Sequence, residues 1–139
     1  MTTARDIMHA GAECINEDES LLVASRMMRD LDVGSLPICG NDDRLHGIIT
    51  DRDIVLKCCA EGKNPADMKA SDLANGAPHC VMADADINQV LRTMQSHQIR
   101  RVPVLEGKRL VGMISEADVG RHLSEDQIAQ FVESVYAAR

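Results

Sequence analysis

The sequence predicts an α+β (α/β) protein that contains two copies of a β-α-β-β-α unit, followed by one further helix. Three observations support this fold class. A stretch of about twenty residues occurs twice, a helix-period apolar pattern precedes each occurrence, and each occurrence has two short apolar runs around a polar turn. We expect the copies at residues 1–59 and 71–123, a polar linker at 60–70, and a C-terminal helix at 124–139.

The duplication is clearest around one proline and one glycine in each copy. Residues 33–53 read VGSLPICGNDDRLHGIITDRD, and residues 99–118 read IRRVPVLEGKRLVGMISEAD. Pro37 matches Pro103 at an offset of 66, whereas Gly47 matches Gly112 at an offset of 65. One deletion in the hairpin turn explains the change of offset. The register extends upstream to the first helix of each copy, so we interpret the pattern as a true internal repeat.

Each copy is predicted to begin with a short strand and a capped helix. Asp18 and Asp84 are the expected N-caps, because an aspartate can accept from the free N–H groups of a first turn. Gly34 is expected to end the first helix. The apolar faces are Leu21, Ala24, Met27, Met28 and Leu31 in copy one, and Ile87, Val90, Leu91 and Met94 in copy two.

A hairpin and a second helix complete each copy. The predicted strands are 36–39 and 45–50 in copy one, and 102–105 and 110–114 in copy two. The predicted second helices are 51–59 and 116–123. In both copies the turn between the strands is polar, as hairpin connections usually are.

The overall charge argues against several classes of partner. The 139 residues carry a formal net charge of −7, which gives no general attraction to nucleic acid or anionic lipid. No apolar run approaches the roughly 18 residues that a membrane span needs. The N-terminus lacks the apolar stretch of a secretory signal. We therefore expect a cytoplasmic protein without a nucleic-acid or membrane partner.

The last predicted helix carries a capping-box pattern. Ser124 and Gln127 have the hydroxyl-x-x-amide spacing that closes a first helical turn. The apolar stripe behind it consists of Ile128, Phe131, Val132 and Val135. Two interpretations remain open, because this stripe could pack on its own domain or against another subunit.

The sequence lacks the motifs of common catalytic and metal sites. Neither a phosphate-binding loop nor a dinucleotide-binding glycine pattern is present. The five histidines (9, 46, 79, 97 and 122) have no metal-ligand spacing, and the five cysteines include no C-x-x-C. We expect no enzymatic activity, no metal and no required cofactor. The alternative is a metal site assembled from distant segments or across subunits, on which any enzymatic activity would depend.

The repeated strings GIITDRD (47–53) and GMISEAD (112–118), each after a hydrophobic-proline strand, resemble the CBS-domain signature. Two such units resemble a Bateman module, and the resemblance extends from about Ala4 to Leu123. It implies two units packed about a pseudo-twofold axis, with two clefts at their junction. In relatives these clefts bind adenosyl compounds such as AMP, ATP or S-adenosylmethionine. It also implies a regulatory or signal-transduction role, a homodimer and an effector protein that the sequence does not identify.

The hydroxyl-x-x-acid string of copy two is the first candidate for ligand contacts. The Asp118 carboxylate could accept two hydrogen bonds from a ribose diol, and the Ser115 hydroxyl could donate to a phosphate at the helix N-terminus. Thr50 and Asp53 hold the corresponding positions in copy one. The alternative is that both strings are plain helix caps.

Two arginines distinguish the copies. Arg100 and Arg101 precede Pro103 at the mouth of the same cleft, where guanidinium groups could hold a phosphate. The alternative is that both are solvated surface residues. Copy one has Gly34 and Ser35 at the matching positions. The sequence therefore predicts unequal clefts, with the better phosphate site in copy two.

The resemblance suggests roles for two further pairs of residues. Val33 and Ile99 occupy the position that contacts the purine face in relatives, although both could be ordinary core residues. Cys14 and Cys39 lie on strands that are neighbours in the CBS fold, so they could form a disulfide or remain reduced thiols. A disulfide would support the alternative function, that of a ligand-free, stress-related interaction or redox protein.

Overall fold

In a computed structural model, which describes residues 1–11, 13–74 and 78–137, the chain forms two compact units. Residues 13–78 form the first-repeat unit, and residues 1–12 together with 79–139 form the second-repeat unit. The mixed helix and sheet content confirms the predicted α+β class with tandem repeats.

The first-repeat unit is a three-stranded sheet covered by helices. Its elements are β2 (Ile15–Asn16), α2 (Leu21–Leu31), β3 (Ser35–Cys39), β4 (Leu45–Thr50), α3 (Asp51–Ile54), a π-helical turn (Val55–Cys59) and two 3₁₀ turns (Pro65–Asp67 and Ala70–Leu73). The strand order is β2-β3-β4, with β2 parallel and β4 antiparallel to β3. Leu21, Ile38 and Ile49 are fully buried at its centre.

The second-repeat unit has the same plan with one additional strand. Its elements are α1 (Ala4–Ile7), β1 (His9–Ala10), β5 (Val81–Met82), α4 (Ile87–His97), β6 (Arg101–Glu106), β7 (Arg109–Ser115), α5 (Glu116–Gly120) and α6 (Glu125–Tyr136). The strand order is β1-β7-β6-β5, with β1 antiparallel to β7. Val102, Ile114 and Val119 are fully buried in its core.

The two units exchange their opening segments. Helix α1 belongs to copy one by sequence but packs in the second-repeat unit, where Ala4 N–H donates to the carbonyl of Ala85 at 2.8 Å. The turn Ala70–Leu73 belongs to copy two by sequence but packs in the first-repeat unit, where Ala70 N–H donates to the carbonyl of Glu19 at 2.8 Å. The compact units therefore do not coincide with the sequence copies at residues 1–59 and 71–123, and part of the expected linker 60–70 is folded.

The two repeated glycines lie where these exchanged segments cross the sheet. A Cβ on Gly112 would lie 2.5 Å from the sulfur of Met8 and 2.8 Å from the carbonyl oxygen of His9. A Cβ on Gly47 would lie 3.0 Å from the Cβ of Ala74. Close approach of a second segment therefore explains the repeated glycine.

The predicted N-caps were wrong by two residues. Ser20 caps α2 by accepting from the N–H of Val23 at 3.1 Å, and Asp86 caps α4 by accepting from the N–H of Gln89 at 3.0 Å. Asp18 instead donates its N–H to the Asn16 side chain in the preceding turn. Because of this turn and its equivalent in copy two, α2 and α4 begin after Asp18 and Asp84.

The helix ends also differ from expectation. The C-caps of α2 and α4 are Asp32 and Gln98, both in the left-handed conformation with φ of 55° and 52°. Gly34 therefore does not terminate the helix. Helix α5 ends at Gly120, short of the predicted 123, whereas the four hairpin strands match their predicted bounds to within one residue.

Helix α6 packs on its own unit through half of its predicted stripe. Phe131 and Val135 are buried in the same core as α4 and β6, whereas Ile128 and Val132 remain exposed. The capping box is present, because Ser124 and Gln127 each accept from the other's backbone N–H. No helix within the described residues has the length and apolar character to cross a membrane.

Candidate functional site

The junction of β7 and α5 holds the hydroxyl-x-x-acid string of copy two. Ser115 N–H and its hydroxyl donate to Oδ2 of Asp118 at 2.8 and 3.0 Å, and Asp118 N–H is 3.3 Å from the Ser115 hydroxyl oxygen. Asp118 is only 2% exposed. The two residues therefore form a capping box, which is the structural role that the sequence left open beside ligand binding.

The other Asp118 oxygen has two nitrogen-bearing side chains as partners. Nε2 of His9 lies 2.8 Å from Oδ1, and the Arg121 guanidinium lies 3.3 Å from the same atom. The sequence offered no signal for His9, because this residue belongs to copy one and to no motif. It reaches Asp118 because β1 pairs with β7 in the second-repeat unit.

Arg101 lies on the same sheet face as this capping box. In the antiparallel register of β6 and β7, Arg101 is opposite Ser115 and Pro103 is opposite Met113. Residues two apart on a strand share a face, so these side chains and His9, which is also opposite Met113, form one surface. Pro103 is buried, whereas the Arg101 side chain makes no hydrogen bond or ion pair within the described part of the chain.

The structure separates Arg100 from this surface. The Arg100 guanidinium lies over the Tyr136 ring, 5.5 Å from its centroid, with Nη1 3.4 Å from the tyrosine oxygen. The Tyr136 hydroxyl donates to the Glu116 carboxylate at 3.0 Å. The two arginines are therefore not brought together as one clamp, since α6 holds the first of them. Ile99 packs against the core of the unit.

The first-repeat unit repeats the capping box with fewer partners. Thr50 N–H donates to Asp53 at 3.2 Å, and Asp53 N–H donates to the Thr50 hydroxyl at 3.0 Å. Lys57 lies 3.5 Å from the free oxygen of Asp53. The N–H of Asp51 donates to the carbonyl of Gly34. In the second-repeat unit, the N–H of Glu116 donates to the carbonyl of Arg100 in the same way. Val33 is 42% exposed, so it does not belong to the core.

Cys14 and Cys39 are joined by a disulfide in this unit, with their Cα atoms 5.7 Å apart. In the parallel pairing of β2 with β3, Asn16 is opposite Cys39, so Cys14 and Cys39 lie at the same pair of neighbouring strands. Cys58 is buried and Cys80 is half-buried, and burial raises the pKa of both thiols. Cys14 and Cys39 are the cysteine pair for which the family resemblance suggested a disulfide.

The described residues contain no group of three or more His, Cys, Asp and Glu side chains that could hold a metal ion. His79 and His97 are close, but their rings stack with centroids 3.5 Å apart and an interplanar angle of 10°.

Comparisons with a family model and with known proteins agree on the family of this chain. The CBS domain model matches residues 4–58 and 70–125. The chain is 53% identical to hypoxic response protein 1 of Mycobacterium tuberculosis over 135 residues, covering 97% of this chain and 94% of the relative. These matches cover nearly all of the duplicated region.

Solved structures show the same fold. A crystal structure of hypoxic response protein I with two coordinated zinc ions matches with a TM-score of 0.81 and 53% identity, covering 88% of this chain and all of that one. CBSX2 in complex with AMP matches with a TM-score of 0.75 and 20% identity, covering 88% and 96%. A hexameric CBS-CP12 protein from bloom-forming cyanobacteria matches with a TM-score of 0.78 and 28% identity, covering 87% and 72%.

The two zinc ions are described for the hypoxic response protein structure. Structural zinc takes four ligands and catalytic zinc takes three protein ligands, and no three-ligand group occurs among residues 1–11, 13–74 and 78–137.

Proposed function

The chain belongs to the CBS-domain family, whose members are generally regulatory, and on this premise we propose that it is a non-catalytic sensor of an adenosyl ligand such as AMP or ATP. The proposal is based on the surface formed by Arg101, Ser115 and Asp118. The residues of this surface match the chemistry of a nucleoside phosphate: a cation for the phosphate, a hydroxyl at a helix start and an acid for the ribose.

The observation that supports the proposal most is the state of Arg101, which has no ion pair among the residues that the structure describes. A guanidinium that makes no ion pair within the described residues, on an acidic protein, is available to a phosphate. The matching residue in copy one is Ser35, which is 7% exposed and uncharged. The second-repeat unit is therefore the proposed phosphate site, and CBSX2 provides a case in which this fold holds AMP.

Calorimetric titration with AMP and with uncharged adenosine tests this proposal. We expect Arg101→Ala to weaken AMP binding by about tenfold or more, because a charge-assisted hydrogen bond is lost, and to leave adenosine binding nearly unchanged. Arg109→Ala is the matched control, since Arg109 is an exposed arginine at the other end of β7. Equal AMP affinity in all three proteins, or no AMP binding at all, would contradict the proposal.

We further propose that the sensor is a homodimer that acts on a separate effector protein. Val55 and Leu56 are 55% and 45% exposed on one helical turn of the first-repeat unit, and adjacent exposed apolar residues are typical of interfaces. The CBS-CP12 neighbour is itself hexameric. Light scattering should give a dimer mass for the wild type and for Val132→Glu but a monomer mass for Leu56→Glu. A dimer in all three proteins would exclude this interface.

The disulfide favours a second candidate function, that of a ligand-free redox or interaction protein. The bond between Cys14 and Cys39 links the entry to β2 with the end of β3. Mass spectrometry after thiol alkylation should find three free thiols and one closed bond in protein purified without reductant. Five alkylated cysteines would exclude this function. A Cys14→Ser protein that still binds AMP as the wild type does would separate the redox role from the sensor role.

A further inference from the structure

His9 lies at the acid of the proposed ligand surface, although it comes from the opening segment of the other sequence copy. Its side chain is 73% exposed, yet its Nε2 is 2.8 Å from Oδ1 of the nearly buried Asp118. The ring is therefore on the outer side of the carboxylate. An approaching ligand would meet it first.

The contacts of Asp118 fill its acceptor capacity. A carboxylate offers about four lone-pair positions. Oδ2 accepts from the N–H and the hydroxyl of Ser115, and Oδ1 faces the imidazole of His9 and the guanidinium of Arg121. A ribose diol has two hydroxyl donors, so it can bind this carboxylate only where two present partners leave.

The acid of the first-repeat unit has free capacity in comparison. Asp53 accepts one hydrogen bond from the backbone at Thr50, and Lys57 approaches its other oxygen at 3.5 Å. Two acceptor positions are unused within the described residues. The two copies therefore differ at both positions. Copy two has the arginine for a phosphate, whereas copy one has the acid with free acceptor positions for a ribose.

We propose that His9 is a specificity-determining residue of the second-repeat site, because it occupies the Asp118 oxygen that a ribose diol requires. This inference rests on the proposed sensor function. The wild-type site then favours the phosphate end of a ligand through Arg101 over the nucleoside end, and an adenosyl ligand binds fully only when the imidazole moves away.

Adenosine is the appropriate probe, since it carries the diol but no phosphate. The measurement is a calorimetric titration in an Asp53→Ala background, which removes the ribose acid of the first-repeat unit. We expect His9→Ala to bind adenosine at least about fivefold more tightly than the unchanged His9 protein, because a competing hydrogen-bond partner of Asp118 is gone. Arg121→Ala should give a smaller gain, since its contact with the same oxygen is longer.

His46→Ala is the matched control. His46 is also an exposed histidine that contacts carboxylates, with Glu17 at 3.1 Å and Asp42 at 3.2 Å, but it lies at the hairpin of the first-repeat unit. Its removal should not change adenosine affinity. Histidine side-chain NMR provides a second measurement, in which adenosine should displace the His9 signals and leave those of His46 in place.

The outcomes separate this inference from the proposed function. Tighter binding by His9→Ala supports both. Equal binding with and without the imidazole, together with unmoved His9 signals, overturns the role of His9 and leaves the sensor function standing. No binding of adenosine or AMP to any variant overturns the sensor function and the role of His9 with it.

Discussion

At the residue scale, the repeated glycine is explained by the segment that crosses it. In each unit the exchanged opening segment passes so close to the second strand of the hairpin that a Cβ on the repeated glycine has little or no space. We expect Gly112→Ala to destabilise the protein by about 1–3 kcal/mol, because the carbonyl oxygen of His9 cannot move away without disrupting β1. Urea denaturation measures the difference as a shift in midpoint.

The equivalent substitution in the other unit provides the control. A Cβ at Gly47 would meet the Cβ of Ala74 at 3.0 Å, which a small displacement can relieve. Gly47→Ala should therefore cost less than Gly112→Ala. The explanation fails if the two substitutions have equal effects or if Gly112→Ala is neutral.

Individual site residues were predictable only where the repeat itself marked them. The strings ending in Asp53 and Asp118 were visible because both copies contain them. His9 was not, since its contact depends on which sheet the chain's opening segment joins. The Arg100–Tyr136 contact was also hidden, because it requires the docking of a helix that lies outside the repeat.

At the element scale, α6 is fixed to the second-repeat unit by two apolar side chains and by one polar cluster. Phe131 is 3% exposed, and the neighbouring Tyr136 bridges Arg100 and Glu116. We expect Phe131→Ala to destabilise the unit by about 3–5 kcal/mol, the usual cost of deleting a buried aromatic ring. Val132→Ala, on the exposed side of the same helix, should stay within about 0.5 kcal/mol.

Thermal or urea unfolding of both variants distinguishes the two interpretations of α6 that the sequence left open. A large effect of Phe131→Ala with a small effect of Val132→Ala shows a helix packed on its own unit. Similar small effects would mean that α6 contributes little to this unit and needs another surface.

Element boundaries were predictable in strands and less so in helices, for a physical reason. The hairpin strands are delimited by alternation and by a polar turn, which leave little freedom. The N-cap depends on which of several nearby acceptors meets the first free N–H, and both Asp18 and Ser20 are good acceptors. The chain resolves this choice by a turn that uses Asn16.

At the scale of the whole molecule, the exchange of opening segments couples the two copies. Ala4 and Ile7 are buried in the core of the second-repeat unit, and β1 covers the edge of β7. The repeat alone could not predict this, because sequence similarity shows which segments are equivalent and not which sheet each one joins. The stability of copy two therefore depends on residues from the start of copy one.

Removal of residues 2–12 tests this dependence. If each sequence copy folded by itself, the deletion would destabilise the first-repeat unit, because residues 2–12 directly precede that unit in the sequence. The exchanged arrangement gives the opposite expectation, because the deletion exposes the second-repeat core and leaves β7 as an unpaired edge. Hydrogen exchange followed by mass spectrometry should show faster exchange across residues 81–119 and little change across 15–58. Deletion of residues 60–64, which lie outside the exchanged segments, is the control. Faster hydrogen exchange confined to residues 15–58 after removal of 2–12 would contradict the proposed swap of opening segments.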